Sequence, residues 1–264
     1  MRVVLLGENT CLGAGLRIHL LRWGRHEIVT LPSANGYWKN ERKLAKALRK
    51  VFPDIVIDLR FSAAPEKFLF PQESEIETTE WVSRACEREN LLLFLISDTS
   101  VFSGKKINPY TEQDTPDSTT DLGSFMLENE QVFRKLCKRH VILRLGPVFA
   151  AYGDNILTDL ISNLEEKDEL FFSAHKRHCP LHASDGARVI SGMIDQISAG
   201  ANGFGTFHYC GSEAVSNYEF SETVFSSLLS LKLIQKEVSL KPFGVNDTVQ
   251  NFMLDCKKIQ SCFA

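Results

Sequence analysis

Residues 2–24 read RVVLLGENTCLGAGLRIHLLRWG, and this stretch decides the fold. Val3 to Leu6 form an apolar run with no polar alternation, which ends at Gly7. A strand that is apolar on both faces has to be covered on both faces, as in a parallel sheet. Beyond the glycine, Leu12, Leu16, Leu20 and Trp23 recur at helical spacing, and Gly24 supplies a stop. Strand, glycine turn and amphipathic helix together make the first half of a βαβ unit.

The same alternation runs onward. EIVTL (27–31) predicts a second strand, and NERKLAKALRKVF (40–52) a helix with Asn40 as its cap. PDIVIDLR (53–60), LLLFLIS (91–97) and VILRLGPVF (141–149) predict three more strands. The helical patterns at 73–90 and 121–140 separate them. The expected fold class is therefore α/β: a doubly wound parallel sheet, Rossmann-like, with right-handed crossovers. After Phe149 the pattern loosens into shorter strands and helices, which predict a small C-terminal cap. The expected division is 1–150 for the dinucleotide-binding-type domain and 151–264 for the cap, with segments of the cap interleaved with the main domain.

Bulk properties narrow the function. With 264 residues, 44% hydrophobic and 24% charged, the chain reads as an ordinary globular protein. Thirty basic against thirty-three acidic residues give a net charge of −3, which offers no electrostatic footprint for nucleic acid. No stretch is long and apolar enough to span a bilayer. The cysteines at 11, 86, 137, 179, 210, 256 and 262 are scattered, odd in number and without a CxxC pair. That usage fits a reducing cytoplasm better than a disulfide framework.

The first loop, Gly7-Glu8-Asn9-Thr10-Cys11-Leu12-Gly13, is the candidate nucleotide site. Glycines here let backbone amides and a helix N-terminus approach a pyrophosphate. Gly7, Asn9, Thr10, Leu12 and Gly13 are the cofactor-binding candidates. Thr10 stands where a middle glycine is common, placed either to bond a phosphate or to block one. The bland alternative is that the glycines serve the turn alone. Strand two ends VTLPSANG, with no acid for a ribose hydroxyl, while Lys39, Arg42 and Lys43 suit either a 2′-phosphate or a solvated helix face. Arg60, at the end of strand three, is a candidate anion holder or the partner of a nearby acid.

Strand four leads into LISDTSVFSGKKINPYTEQDTPDSTTDLGSFMLENE (95–130). This resembles the extended short-chain dehydrogenase/reductase superfamily, and most of all the dTDP-4-dehydrorhamnose reductase family. That family shows Ser-Thr-Asp-Tyr-Val-Phe-x-Gly, then Pro-Tyr/Trp-x-Glu-x-Asp, then Tyr-Gly-x-x-Lys on a helix that ends in a Glu. Val101-Phe102-Ser103-Gly104, Pro109-Tyr110-Thr111-Glu112-Gln113-Asp114, and Gly123 with Glu130 match in order and spacing. GDNILTDLI, CPLHASDGARVI, GTFHYCGSEAVSNYEF and LDCKKI extend the likeness over nearly the whole chain. The resemblance implies a sugar-nucleotide-binding fold with NAD(P) as cofactor.

Departures from the family pattern fall on its chemistry. Such reductases use a Tyr as acid, a Lys four residues later that lowers the phenol pKa, and a Ser or Thr on the substrate oxygen. Anchored on Gly123 and Glu130, the Tyr position is Leu122 and the Lys position Met126; anchored on Val101-Phe102, the hydroxyl position is Asp98. No tyrosine in the chain heads a Tyr-x-x-x-Lys. General acid catalysis of this type contributes roughly two to four orders of magnitude in rate. The DLGSFM face is therefore expected to line the old cleft with apolar groups.

Asp98 is the remaining catalytic candidate, against the plainer reading that it caps the next turn. Ser97, Thr99, Val101, Asn155, His178 and His182 are the substrate-side candidates that the resemblance implies. The run AHKRHCPLH (174–182) has the residue types of a zinc site, but its spacing fits no standard one and no metal is expected. The leading expectation is a pseudoenzyme-like, non-catalytic or atypical member. It would bind NAD(P), a nucleotide sugar, a protein partner or a second copy of itself. The alternative is an NAD(P)-dependent nucleotide-sugar reductase or epimerase with relocated catalytic groups.

Overall fold

The computed structural model describes residues 1–32, 37–62 and 73–263. The end of the VTLPSANG stretch and the residues after Ser62 fall outside them. In chain order the elements are β1 (Arg2–Leu6), α1 (Cys11–Trp23), β2 (Glu27–Leu31), α2 (Glu41–Val51), β3 (Ile55–Asp58), α3 (Glu73–Arg88), β4 (Leu92–Asp98), α4 (Asp121–Leu136) and β5 (His140–Leu145). The later half adds β6 (Val148–Phe149), α5 (Ile156–Glu166), β7 (Glu169–Ser173), β8 (Lys176–His178), β9 (Leu181–His182), α6 (Ala183–Ser198), β10 (Gly205–Tyr209), β11 (Val215–Ser216), α7 (Asn217–Ser230), β12 (Ser239–Phe243), β13 (Gln250–Asn251) and α8 (Lys257–Phe263).

Six strands form the central sheet in the order β2-β1-β3-β4-β5-β10, all parallel. The chain reverses its direction of winding between β1 and β3, and the crevice at such a reversal is where open α/β sheets take their ligands. Alternate residues of each strand enter opposite apolar layers. Val3, Leu5, Ile55, Ile57, Phe94 and Leu143 join Leu12, Leu16 and Leu20 of α1 and Ile190 and Ile194 of α6. Val4, Leu6, Val56, Leu93, Leu95 and Ile142 join α2, α3 and α4 through Leu44, Val82, Met126 and Phe133. This is the doubly wound arrangement that strands apolar on both faces demand.

Helix ends follow the sequence signals. Asn40 accepts from the Lys43 amide at 3.0 Å, and the Gly24 amide donates to the Leu20 carbonyl at 2.9 Å. The later segments divide their work. β10, α6 and α8 belong to the main body. α5, β7, α7 and β12 surround a separate small core of Leu160, Leu164, Leu170 and Val238. A three-stranded patch, β11-β8-β13, joins distant parts of the later chain.

Candidate functional site

The first loop keeps its backbone shape. Gly7 has φ +87°, and a Cβ there would stand 2.7 Å from the Arg60 nitrogen, so the turn needs glycine. A Cβ on Gly13 would meet the Gly7 carbonyl oxygen at 2.2 Å. Thr10 is the N-cap of α1. Its Oγ1 accepts from the Gly13 amide at 3.1 Å and donates to the Gly7 carbonyl at 2.8 Å. Ser62 Oγ stands 2.9 Å from the same hydroxyl. Thr10 thus ties the loop to itself. The Ala14 amide is taken by the Thr10 carbonyl at 2.9 Å. Asn9 is exposed, and the Leu12 side chain is fully buried in the core.

A second loop lies on this one. Asn155, 1% exposed, caps α5 by accepting from the Leu157 amide at 3.0 Å. Its Nδ2 donates to the carbonyls of Ala150, Tyr152 and Gly153 at 3.0–3.1 Å. The loop so gathered brings Gly153, at φ +70°, down onto α1: a Cβ there would be 3.3 Å from the Cys11 nitrogen. Asn155, a substrate-side candidate from the sequence, therefore has its amide engaged in shaping this loop.

Arg60 faces acids of its own chain. Its Nε and Nη2 grip Asp58 at 2.9 and 2.8 Å, Nη1 donates to Glu75 at 2.6 Å, and Nη2 also reaches Thr79 at 2.8 Å. The guanidinium is buried among two carboxylates, so its role is to pair with acids, the alternative its sequence position left open. Lys39, Arg42 and Lys43 are exposed on or beside α2.

At the end of β4, Asp98 accepts from the Ser100 amide at 2.7 Å and caps the 3-10 turn Thr99–Val101. That is the capping geometry. Burial pushes its carboxyl above the usual range, against the opposing effect of the Ser100 hydrogen bonds. Ser97 is 2% exposed and donates to Glu130 Oε1 at 2.7 Å, so its hydroxyl ties β4 to α4. Thr99 is 5% exposed and Val101 is completely buried in the core.

Helix α4 presses its start against that turn. A Cβ on Gly123 would meet the Ser100 carbonyl oxygen at 2.2 Å. This contact fixes Leu122 and Met126 beside the carboxyl end of β4. Met126 is 1% exposed within the apolar layer that contains Val101 and Phe125, and Leu122 is half-buried against the same layer. The face expected to line a cleft is thus packed core at Met126. Met126 brings no charge into that layer, so none has to be solvated there.

The other end of α4 is polar and buried. Glu130 accepts from Arg144 Nε and Nη2 at 2.8 and 2.7 Å and from Arg134 Nη2 at 2.8 Å. Burial opposes ionisation of Glu130, but the Arg144 guanidinium outweighs it and holds the carboxyl below its usual range. His208 donates from Nδ1 to the Tyr110 carbonyl at 3.0 Å, because a carbonyl can only accept. Its Nε2 therefore carries the lone pair that meets Arg144 Nη1 at 3.3 Å. Burial and the Arg144 charge lower the His208 pKa to about 4. Glu112 accepts the His208 amide at 3.0 Å, and Tyr110 stacks on Phe102 with centroids 4.0 Å apart. The sequence reading found Glu130 and missed Arg144. Its signal was a lone arginine inside an otherwise apolar strand.

The substrate-side histidines separate. His178 stacks on Phe252 at 4.7 Å with its Nδ1 buried and unpartnered, and burial lowers its pKa to about 4. His182 is exposed and caps α6, its Nδ1 accepting from the Ser184 amide at 3.2 Å. Among the described residues no group of three or more His, Cys, Asp or Glu is arranged to hold a metal ion. No described helix is long and apolar enough to cross a membrane.

Known proteins share this framework. A dTDP-4-dehydrorhamnose reductase of Aggregatibacter actinomycetemcomitans is 23% identical, over 99% of this chain and 93% of its own. A spore coat polysaccharide biosynthesis protein of Bacillus subtilis is 28% identical, over 84% and 78%. The solved dTDP-4-dehydrorhamnose reductase of Bacillus anthracis, in complex with NADP, superposes with a TM-score of 0.80 at 20% identity, covering 98% of this chain and 92% of that one. The model of the RmlD substrate binding domain family matches residues 1–263, and the chain belongs to that family.

Proposed function

We propose that the protein binds a nucleotide or nucleotide sugar at the carboxyl end of its sheet and carries out no tyrosine–lysine-assisted reduction there. One observation carries this reading: Gly123 locks the start of α4 against the Ser100 turn, with Leu122 and buried Met126 at the positions where the resemblance implies the proton donor and its cationic helper. Neither side chain can give a proton or stabilise a phenolate.

NAD(P) fits one end of this site better than the other. The Gly7 turn, the Asn9 and Thr10 backbone and the start of α1 at Leu12 and Gly13 have the form that holds a pyrophosphate. At the nicotinamide end, Met126 supplies no ammonium for a ribose. Bound NAD(P)H would supply a hydride, and this chain's own residues would then position a ligand rather than move its proton. Two features oppose tight binding: the Gly13 amide is already taken by Thr10, and the Ala150–Asn155 loop rests on Cys11.

A second reading rests on Asp98. Its carboxyl, pushed up by burial at the end of β4, is the acid that this reading puts in a tyrosine's place in a reductase or epimerase.

A thermal-shift series with NADH, NADPH, dTDP-sugars and UDP-sugars tests both. A ligand at a hundred times its Kd stabilises by about 2.7 kcal/mol, which reads as a clear rise in melting temperature. The expected result is a rise with at least one of these ligands and no loss of NADPH absorbance when a 4-keto nucleotide sugar is added. NADPH consumption that Asp98→Asn abolishes would establish the second reading. No shift with any ligand would leave neither standing.

A further inference from the structure

Three cysteines far apart in sequence meet at the carboxyl ends of β5 and β10. Cys210 follows β10, Cys179 lies between β8 and β9, and Cys256 precedes α8. Cys210 Sγ is 3.7 Å from Cys256 Sγ, and both thiols reach the Leu254 carbonyl, at 3.6 and 3.8 Å. On the other side Cys179 lies against Cys210, the two meeting across Gly146. The backbone pins this arrangement. The Gly211 amide donates to the Cys179 carbonyl at 3.2 Å, and a Cβ at Gly146 would clash with that carbonyl and with Cys210 Cβ. Cys179 is 5% exposed, while Cys210 and Cys256 are half-buried.

We propose that Cys179, Cys210 and Cys256 form a peroxide-oxidised thiol centre whose disulfide always includes Cys210. Cys210 stands between the other two, its thiol beside Cys256 and its Cβ, like the Cys179 carbonyl, against Gly146. The neighbouring Cys210 thiol holds the Cys179 thiol below its usual range and is itself raised to about 11. The remaining buried cysteines differ. Burial raises Cys11 and Cys137 to about 11 and Cys86 well above its ordinary value, and Cys256 is raised by its Cys210 neighbour, so of these thiols Cys179 is the one that is lowered.

The chemistry balances with hydrogen peroxide as oxidant. The Cys179 thiolate attacks one peroxide oxygen, the S–O bond forms, the O–O bond breaks, and hydroxide leaves to become water. Cys210 sulfur then attacks the Cys179 sulfenic sulfur. The S–S bond forms, the S–O bond breaks, and a second water departs with the Cys210 proton. Two thiols lose two electrons, and the peroxide gains them. Cys256 can next attack Cys210, releasing the Cys179 thiolate and leaving Cys210–Cys256.

Trypsin places the three cysteines on separate peptides, 178–188, 189–232 and 237–257, with exposed Cys262 on a fourth. The full chain is reduced, exposed to hydrogen peroxide, blocked with N-ethylmaleimide and digested for mass spectrometry. The expected product is peptide 189–232 joined to 178–188 or to 237–257, two hydrogens lighter than the sum, and lost on reduction. Cys210→Ala should remove every such link. If that variant does not fold, Cys256→Ala serves in its place, because it should keep the 178–188 link. A link between Cys179 and Cys256 alone, or oxidation confined to Cys262 with these three thiols unchanged, overturns the proposal.

Discussion

Helices α1 and α4 both begin at the carboxyl end of the sheet, but they have kept different things. The start of α1 has kept a shape: Gly7 turns, Gly13 admits the turn, and Thr10 closes it. The start of α4 has kept its place, through Gly123, and presents Leu122 and buried Met126 at the two positions where the family resemblance implies an acid and an ammonium. Farther along α4, Glu130 and its partners are intact. The difference teaches which residues a fold protects. Removing a residue of the first kind leaves a clash or an unpaired buried group, whereas Leu122 and Met126 contribute apolar packing alone.

The largest expected effect tests the retained half. Arg144→Met leaves Glu130 buried beside Ser97 with only the partly exposed Arg134 as a cation. Removing one partner of such a pair costs about 3–5 kcal/mol, read as a lower urea midpoint. If the variant loses less than about 1 kcal/mol, α4 is not held as argued.

Next comes acid sensitivity. His208 is fully buried with a pKa of about 4, below the ordinary 6.5. The folded state resists the proton and the unfolded chain accepts it. The contribution is therefore complete above about pH 6.5 and is lost as pH falls toward 4, by about 3 kcal/mol for this one group. Urea titrations across that window should show the loss, and His208→Asn should flatten it, leaving the part due to His178.

The smallest effect sharpens the other half. Thr10→Ala removes the α1 cap at a cost of about 1 kcal/mol in thermal or urea unfolding. It also frees the Gly13 amide for a phosphate. The nucleotide-induced rise in melting temperature should grow in this variant, and an unchanged or smaller rise would show that Thr10 assists binding.

The fold was legible because its signals are local and redundant. Val3–Leu6 and Leu92–Ile96 are apolar on both faces, Leu12, Leu16 and Leu20 repeat at helical spacing, and Asn40 and Gly24 mark helix ends. The site was legible only in part. Leu122 and Met126 could be placed by counting from Gly123, and Asp98 was foreseen as either an acid or a cap. What each donor grips was not readable. Arg60 was offered to an anion or to a nearby acid without saying which acid, and holds Asp58 and Glu75; Ser97 and Asn155 were offered to a substrate and hold Glu130 and the carbonyls of Ala150, Tyr152 and Gly153. Such partners are set by tertiary approach, which no spacing encodes. The thiol cluster is the extreme case, since Cys179, Cys210 and Cys256 come together only when the later chain folds back on the sheet.

The sixth strand of the sheet, β10, is supplied by residues 205–209, while its neighbour β5 ends at Leu145. During synthesis on a ribosome, residues 146–204 must therefore emerge before the outer rim of β5 finds its partner. Until then a row of bare amides and carbonyls, next to the greasy Val141–Leu143 segment, is open to any passing strand. A slow codon stretch or a truncation between those points would hand the nascent protein to chaperones, or to a neighbouring copy.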